Sequence, residues 1–188
     1  MNRRDLFRQA FLGAAAAASQ AVAPAREFSS DYDASKELAR PDWKPLFLDD
    51  HQNQTLIAIG DILIPETDTP GAKAALVNRF LDLVLAAETR DVQRRFLDGL
   101  AFLDGESFER YRAAFVYLTP EQQTEVVRLM AYPHTLETWD EGAKGEYPGR
   151  AHFSNLKDWI SRAYYSSEPG IRTLGYTGVP HGVFEGCK

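Results

Sequence analysis

The sequence predicts an all-α, bundle-like domain with an extended N-terminal arm and an irregular C-terminal tail. Three observations lead there. Apolar residues recur at helical spacing in successive stretches between residues 49 and 168. No stretch of any length alternates apolar and polar residues as a half-buried strand would. Helix-starting chemistry stands where those stretches begin, at Asp49 or Asp50 and at Thr119.

The elements follow in order. Residues 26–48 are mostly polar and carry Pro41 and Pro45, so they read as an extended arm, with Trp43, Leu46 and Phe47 as anchors. Asp49 or Asp50 caps a helix bearing Leu56, Ile57, Ile59, Ile62 and Leu63, which Pro65 stops. Asp68-Thr69-Pro70-Gly71 opens the next helix. Its wide stripe of Leu76, Val77, Phe80, Leu81, Leu83, Val84 and Leu85 marks it as central. A third helix carries Val92, Phe96, Leu97, Leu100 and Leu103 and is expected to break at Gly105. Phe108, Tyr111 and Phe115 then supply a further turn or two. In Thr119-Pro120-Glu121-Gln122, Thr119 caps, Pro120 suits the first helical position and Gln122 closes a capping box. Val126, Val127 and Met130 form that helix's inner face. Residues 132–151 read as a loop. A last helix carries Phe153, Leu156, Trp159, Ile160 and Tyr164, and residues 169–188 read as irregular tail.

Ahead of this body, residues 1–25 have the zones of an export signal. Arg3, Arg4 and Arg8 form a positive head, Phe11 to Ala18 is a short apolar run, and Ala23-Pro24-Ala25 fits the small-x-small cleavage rule. Ala21-Val22-Ala23 also fits, but leaves Pro24 just after the cut. The pair Arg3-Arg4, followed by Leu6-Phe7-Arg8, points to the twin-arginine route, which carries folded proteins. The usual order after the pair is Phe-Leu-Lys, and arginine pairs also open general secretory signals, so that second route stays open. The apolar run is shorter than the roughly 20 residues of a membrane span. The mature chain is therefore expected to be soluble and periplasmic.

Charge and cysteine content narrow the function. The 188-residue chain carries a net charge of -6. Loss of residues 1–25 removes three arginines and one aspartate and takes it to -8. An acidic chain is a poor partner for nucleic acid. The single cysteine, Cys187, excludes an internal disulfide framework and covalent c-type haem. In an exported protein an odd cysteine is either a free reactive thiol or one half of an intermolecular bond.

No catalytic, cofactor-binding or metal site is expected in this chain. No Gly-x-Gly-x-x-Gly follows a strand, and no paired Glu-x-x-His motifs suit a di-iron bundle. His51, His134, His152 and His181 are scattered, without helical metal spacing. His134 and His152 can meet across a loop, with Glu137 or Asp140 nearby. That arrangement defines an alternative, a stand-alone helical binding protein or metal-dependent enzyme. The acids Asp61, Glu66 and Asp68 lack the spacing and glycine of a calcium loop; Asp68 reads as a cap and turn former with solvated neighbours. Ser166 and Ser167 read as a helix end rather than as nucleophiles.

Three stretches taken together carry a resemblance. They are residues 61–72 (DILIPETDTPGA), residues 95–104 (RFLDGLAFLD), and residues 164–170 (YYSSEPG) continuing through Leu174-Gly175-Tyr176 to Val179-Pro180 and Gly186-Cys187. Behind an Arg-Arg signal, this set resembles the gluconate 2-dehydrogenase subunit 3 family over about residues 50–187. The resemblance implies a non-catalytic small subunit of a sugar, sugar-acid or polyol dehydrogenase. Its partner would be a large FAD flavoprotein of the glucose–methanol–choline type that passes electrons to a cytochrome c subunit or domain carrying haem c. The small subunit would supply the export signal for its folded, FAD-loaded partner. Within that picture Tyr164, Tyr165, Tyr176, Pro180 and Phe184 are expected at the partner interface, and Cys187 is the candidate for an intersubunit disulfide. Tyr164 and Tyr165 equally suit packing on the chain's own helices.

Overall fold

The computed structural model describes residues 34–132 and 149–175, and these form helices joined by turns. The order is α1 (Ala34–Leu38), α2 (Asp50–Leu63), α3 (Val77–Ala87), α4 (Arg90–Tyr111), a 3-10 turn (Phe115–Tyr117), α5 (Pro120–Ala131), α6 (Gly149–Ser166) and α7 (Glu168–Thr173). The all-α expectation holds, with no strand among the described residues.

Side-chain caps set three of the described helix starts, those of α2, α5 and α7. Asp49 accepts the Gln52 amide at 2.7 Å, and Gln52 returns a 3.0 Å bond to the Asp49 amide, closing a capping box on α2. Thr119 and Gln122 form the same box on α5, with Pro120 in the first turn. Asp49 rather than Asp50 is therefore the cap. α2 ends at Leu63, two residues before Pro65, as the sequence implies.

Five details differ from expectation. α3 starts at Val77, with Leu76 left-handed at its N-cap (φ 54°), and not at Asp68-Thr69-Pro70-Gly71, which lies in the turn before it. α4 runs unbroken through Gly105, because that glycine faces solvent while Leu103 and Ser107 keep the buried stripe in register. A glycine in a helix interior costs only about 1 kcal/mol, too little to break a helix anchored on both sides. α6 begins at Gly149, inside the expected loop. α1 occupies part of the expected extended arm. α7 occupies the first residues of the expected irregular tail: Ser167 caps it by accepting the Gly170 amide at 3.2 Å, and Pro169 sits in its first turn.

The hub of the body is α6, rather than α3. It packs against α3, α4, α5 and α7. Its Leu156, Ile160, Ala163 and Tyr164 are buried, and Phe153 lies at the core's edge. They share one core with Leu56 and Ile59 from α2, Leu81 and Leu85 from α3, Phe96, Leu100 and Leu103 from α4, and Val126 and Met130 from α5. Each such side chain contributes about 1.5–3 kcal/mol by leaving water. The α4–α6 crossing is close at Gly99, where an added Cβ would come within 3.0 Å of Leu156. Trp159 of α6 meets Phe96 edge-on at 6.5 Å between ring centroids.

Polar cross-links fix the helices' register. His51 of α2 bonds Asp104 of α4 at 2.6 Å, and the other Asp104 oxygen accepts the Phe115 amide at 2.9 Å. One carboxylate thus joins α2, α4 and the 3-10 turn. Buried Asn53 and Asn78 pair at 2.8 Å between α2 and α3. Gln93 donates to the Leu85 carbonyl at 2.8 Å and so closes the end of α3.

Candidate docking surface

Two features of this body stand apart from ordinary helix packing. The first is the seat of the arm. Asp82 is fully buried in the middle of α3, and its carboxylate turns to the arm. Its carboxylate accepts three consecutive arm amides, those of Leu46 at 2.6 Å, Phe47 at 3.0 Å and Leu48 at 2.8 Å. One turn earlier, Arg79 donates to the carbonyls of Leu38 at 2.7 Å and Arg40 at 3.0 Å. Its guanidinium lies 5.1 Å from the centre of the Trp43 ring. Residues 38–48 therefore lie on the chain's own α3. Of the expected anchors, Trp43 and Phe47 are half-buried against the body and Leu46 is exposed.

The second feature is one end of the molecule, where the first and third resemblance stretches meet. The turn at residues 64–72 closes on itself through Ala72 N–H to Ile64 C=O at 2.9 Å and Thr67 N–H to Thr69 C=O at 3.0 Å. Gly71 is required there: an added Cβ would lie 2.6 Å from the Glu66 nitrogen and 2.8 Å from the Ile64 oxygen. The Tyr164 hydroxyl reaches back from α6 to donate to the Pro70 carbonyl at 2.6 Å. α7 crosses the end of α6 so closely that a Cβ on Gly170 would collide with the main-chain carbonyl oxygen of Tyr164. Between turn and helix runs an open groove of about 470 Å³, lined by Asp68, Thr69, Pro70, Glu168, Pro169, Arg172 and Thr173. Exposed Leu174 ends α7, and exposed Tyr165 lies on the last turn of α6.

This placement sorts the expected interface residues. Tyr164 is only 3 % exposed and belongs to the chain's own core, because its hydroxyl has a partner inside the body and its ring packs edge-on against Tyr165. It is removed from the candidate surface. Tyr165 keeps half its surface free. Arg3, Arg4, Tyr176, Pro180, Phe184 and Cys187 lie outside the described residues, as do His134, Glu137, Asp140 and His181.

The remaining candidates have structural roles. His152 stacks on Phe102 at 4.7 Å between ring centroids. Ser166 donates to the Ala163 carbonyl and Ser167 caps α7. Thr67 donates to the Asp68 carboxylate at 3.0 Å, so Asp68 serves the turn as expected. Among the described residues, no group of three or more metal-binding side chains converges. Nor is any described helix long and apolar enough to cross a membrane.

Three local contacts among the described residues displace protonation equilibria. Arg40, bonded to Asp42, holds that carboxyl below its ordinary value, and Asp42 raises the guanidinium in return. The Tyr111 hydroxyl donates to Glu125 at 2.8 Å, which pushes the phenol up. Glu121, in the first turn of α5, is lowered first by its own backbone amide and then by Thr119.

Asp82 and Arg79 were missed by sequence reasoning. The available signal was Asn78 and Asp82, two polar residues one turn apart inside an otherwise apolar stripe. Such residues, when buried, require partners.

The body is thus a small all-α domain with a self-closed turn, a crossing helix and a groove at one end. It belongs to the gluconate 2-dehydrogenase subunit 3 family, whose model matches residues 50–180. The family's name is that of a subunit of an oxidoreductase complex. No curated protein and no solved structure matches the chain significantly.

Proposed function

We propose that this chain is the non-catalytic small subunit of a periplasmic, FAD-dependent dehydrogenase complex acting on a sugar, sugar acid or polyol. In this reading it stabilises a large flavoprotein of the glucose–methanol–choline type and carries it, folded, through the twin-arginine route. FAD, and haem c where a cytochrome subunit takes part, belong to the partners. The observation that carries the reading is the family match across residues 50–180, behind the Arg3-Arg4 signal. The end surface with Tyr165 and Leu174 offers the large subunit exposed apolar contact on a rigid base.

The test is co-expression with a flavoprotein of this type that lacks its own signal. The pair should co-purify from the periplasm with a flavin spectrum. An Arg3→Lys, Arg4→Lys chain should leave the flavoprotein in the cytoplasm. Normal periplasmic flavoenzyme with that double variant would sink the export role.

A further inference from the structure

Arg79 and Asp82 grip residues 38–48 chiefly by main-chain atoms: two carbonyls on one side, three amides on the other, and the single ring of Trp43 between them. The grip joins positions 34 to 41 residues apart in sequence, so it cannot form from local structure. It exists only once α3 is helical, because only the helix sets Arg79 and Asp82 on one face a turn apart. It is also buried only once Val77, Leu81 and Leu85 of α3 enter the core. In an unfolded chain the carboxylate and the three amides would each bond water instead. The gripped segment itself, with Pro41 and Pro45, has little helical tendency of its own, so α3 sets its path.

We infer that Arg79 and Asp82 form a clasp that makes presentation of the N-terminal segment conditional on a folded body. Helix α1, where the described chain begins, is then held beside α3, and only when that face of α3 has formed. The purpose assigned to the clasp rests on the reading of residues 1–25 as a signal for folded export. The clasp itself rests on geometry alone.

Hydrogen exchange on the purified chain reads the clasp directly. Asp82→Asn puts an amide donor against an arm amide. Arg79→Gln, a milder change at a half-buried position, releases the two carbonyls and Trp43. Both variants should speed exchange of the amides in residues 43–48 by about tenfold or more, while amides of α4 and α6 keep their wild-type rates. Unchanged exchange in 43–48, or equal acceleration throughout the helices, overturns the clasp. In cells, variants showing the accelerated exchange should export a smaller fraction of chain and partner. Full export in those variants overturns the conditional role. The Arg3→Lys, Arg4→Lys chain is the separate arm: normal export there removes the signal reading and leaves the exchange result standing.

Discussion

The buried carboxylate of Asp82 accepts the Leu48 amide at 2.8 Å across 34 residues of chain, and the neighbouring Phe47 amide shares the same oxygen. A carboxylate without water is costly unless its lone pairs are met, and three amides meet them here. Asp82→Ala leaves those amides without their acceptor. Leu46 and Phe47 are partly exposed and can turn to water, but Leu48 is buried. The expected loss is about 2–3 kcal/mol, read as a shift in urea midpoint. A midpoint within about 0.5 kcal/mol of wild type would show that the bonds contribute nothing net.

Glycines at two positions should respond in opposite directions. Gly170→Ala forces a methyl into the main-chain carbonyl oxygen of Tyr164, so α7 must leave its seat on α6. The loss should reach about 2 kcal/mol or more. Gly105→Ala meets nothing within 4 Å and lies in mid-helix on the solvent side. It should gain up to about 1 kcal/mol. Thermal melts of the two variants check both signs, and a destabilising Gly105→Ala would contradict the open space seen there.

Tyr164→Phe tests the bridge between the residue 64–72 turn and the end of α6. The ring remains packed and only the 2.6 Å bond to Pro70 is lost. Pro70 is exposed, so its carbonyl can recover water. The expected cost is therefore at the low end, about 0.5–1 kcal/mol. Exchange of the Ala72 amide, bonded to Ile64 within that turn, should accelerate more than exchange in α4.

Sequence alone showed what is decided within one helical turn. Asp49 with Gln52, Thr119 with Gln122, and the stop before Pro65 each depend on residues three or four apart, so their chemistry is visible in the order of letters. The break expected at Gly105 failed because the cost of a glycine depends on which face it occupies, and that face is set by the burial of Leu103 and Ser107 in the core. The arm's destination was hidden for the same kind of reason. Asp82 finds its amides 34 to 36 residues away, and nothing near Leu46 announces that its partner is a buried aspartate. Tyr164 and Tyr165 are adjacent and chemically identical. Only the helix phase puts one against Pro70 and the other into solvent.

Glu121 gives a pH dependence of known sign. Its folded-state pKa lies below the ordinary 4.5, owing first to its own backbone amide and then to Thr119. A lowered carboxylate adds stability that is present above the unfolded value and fades as pH falls through the folded one. Glu121→Gln should therefore shrink the stability difference between neutral pH and pH ~3. The group is fully exposed, so the effect is small, and parallel stability curves for the two proteins would remove it.

Tyr165 and Leu174 separate the two uses of the end surface. Both are exposed, at 50 % and 65 %, beside a base held rigid by Gly170, Ser167 and Tyr164. Neither fills the core of the isolated chain, so Tyr165→Ala and Leu174→Asp should each change its stability by no more than about 0.5 kcal/mol. If the surface seats the large subunit, truncating a rigid aromatic or placing a charge in the desolvated centre should weaken the complex by about 1–3 kcal/mol, mostly through faster dissociation. Surface-exposed Lys73→Ala, on the nearby turn, serves as the control and should leave both quantities unchanged. Measured dissociation of the purified pair decides between the outcomes: wild-type rates in both Tyr165→Ala and Leu174→Asp would move the interface away from α7.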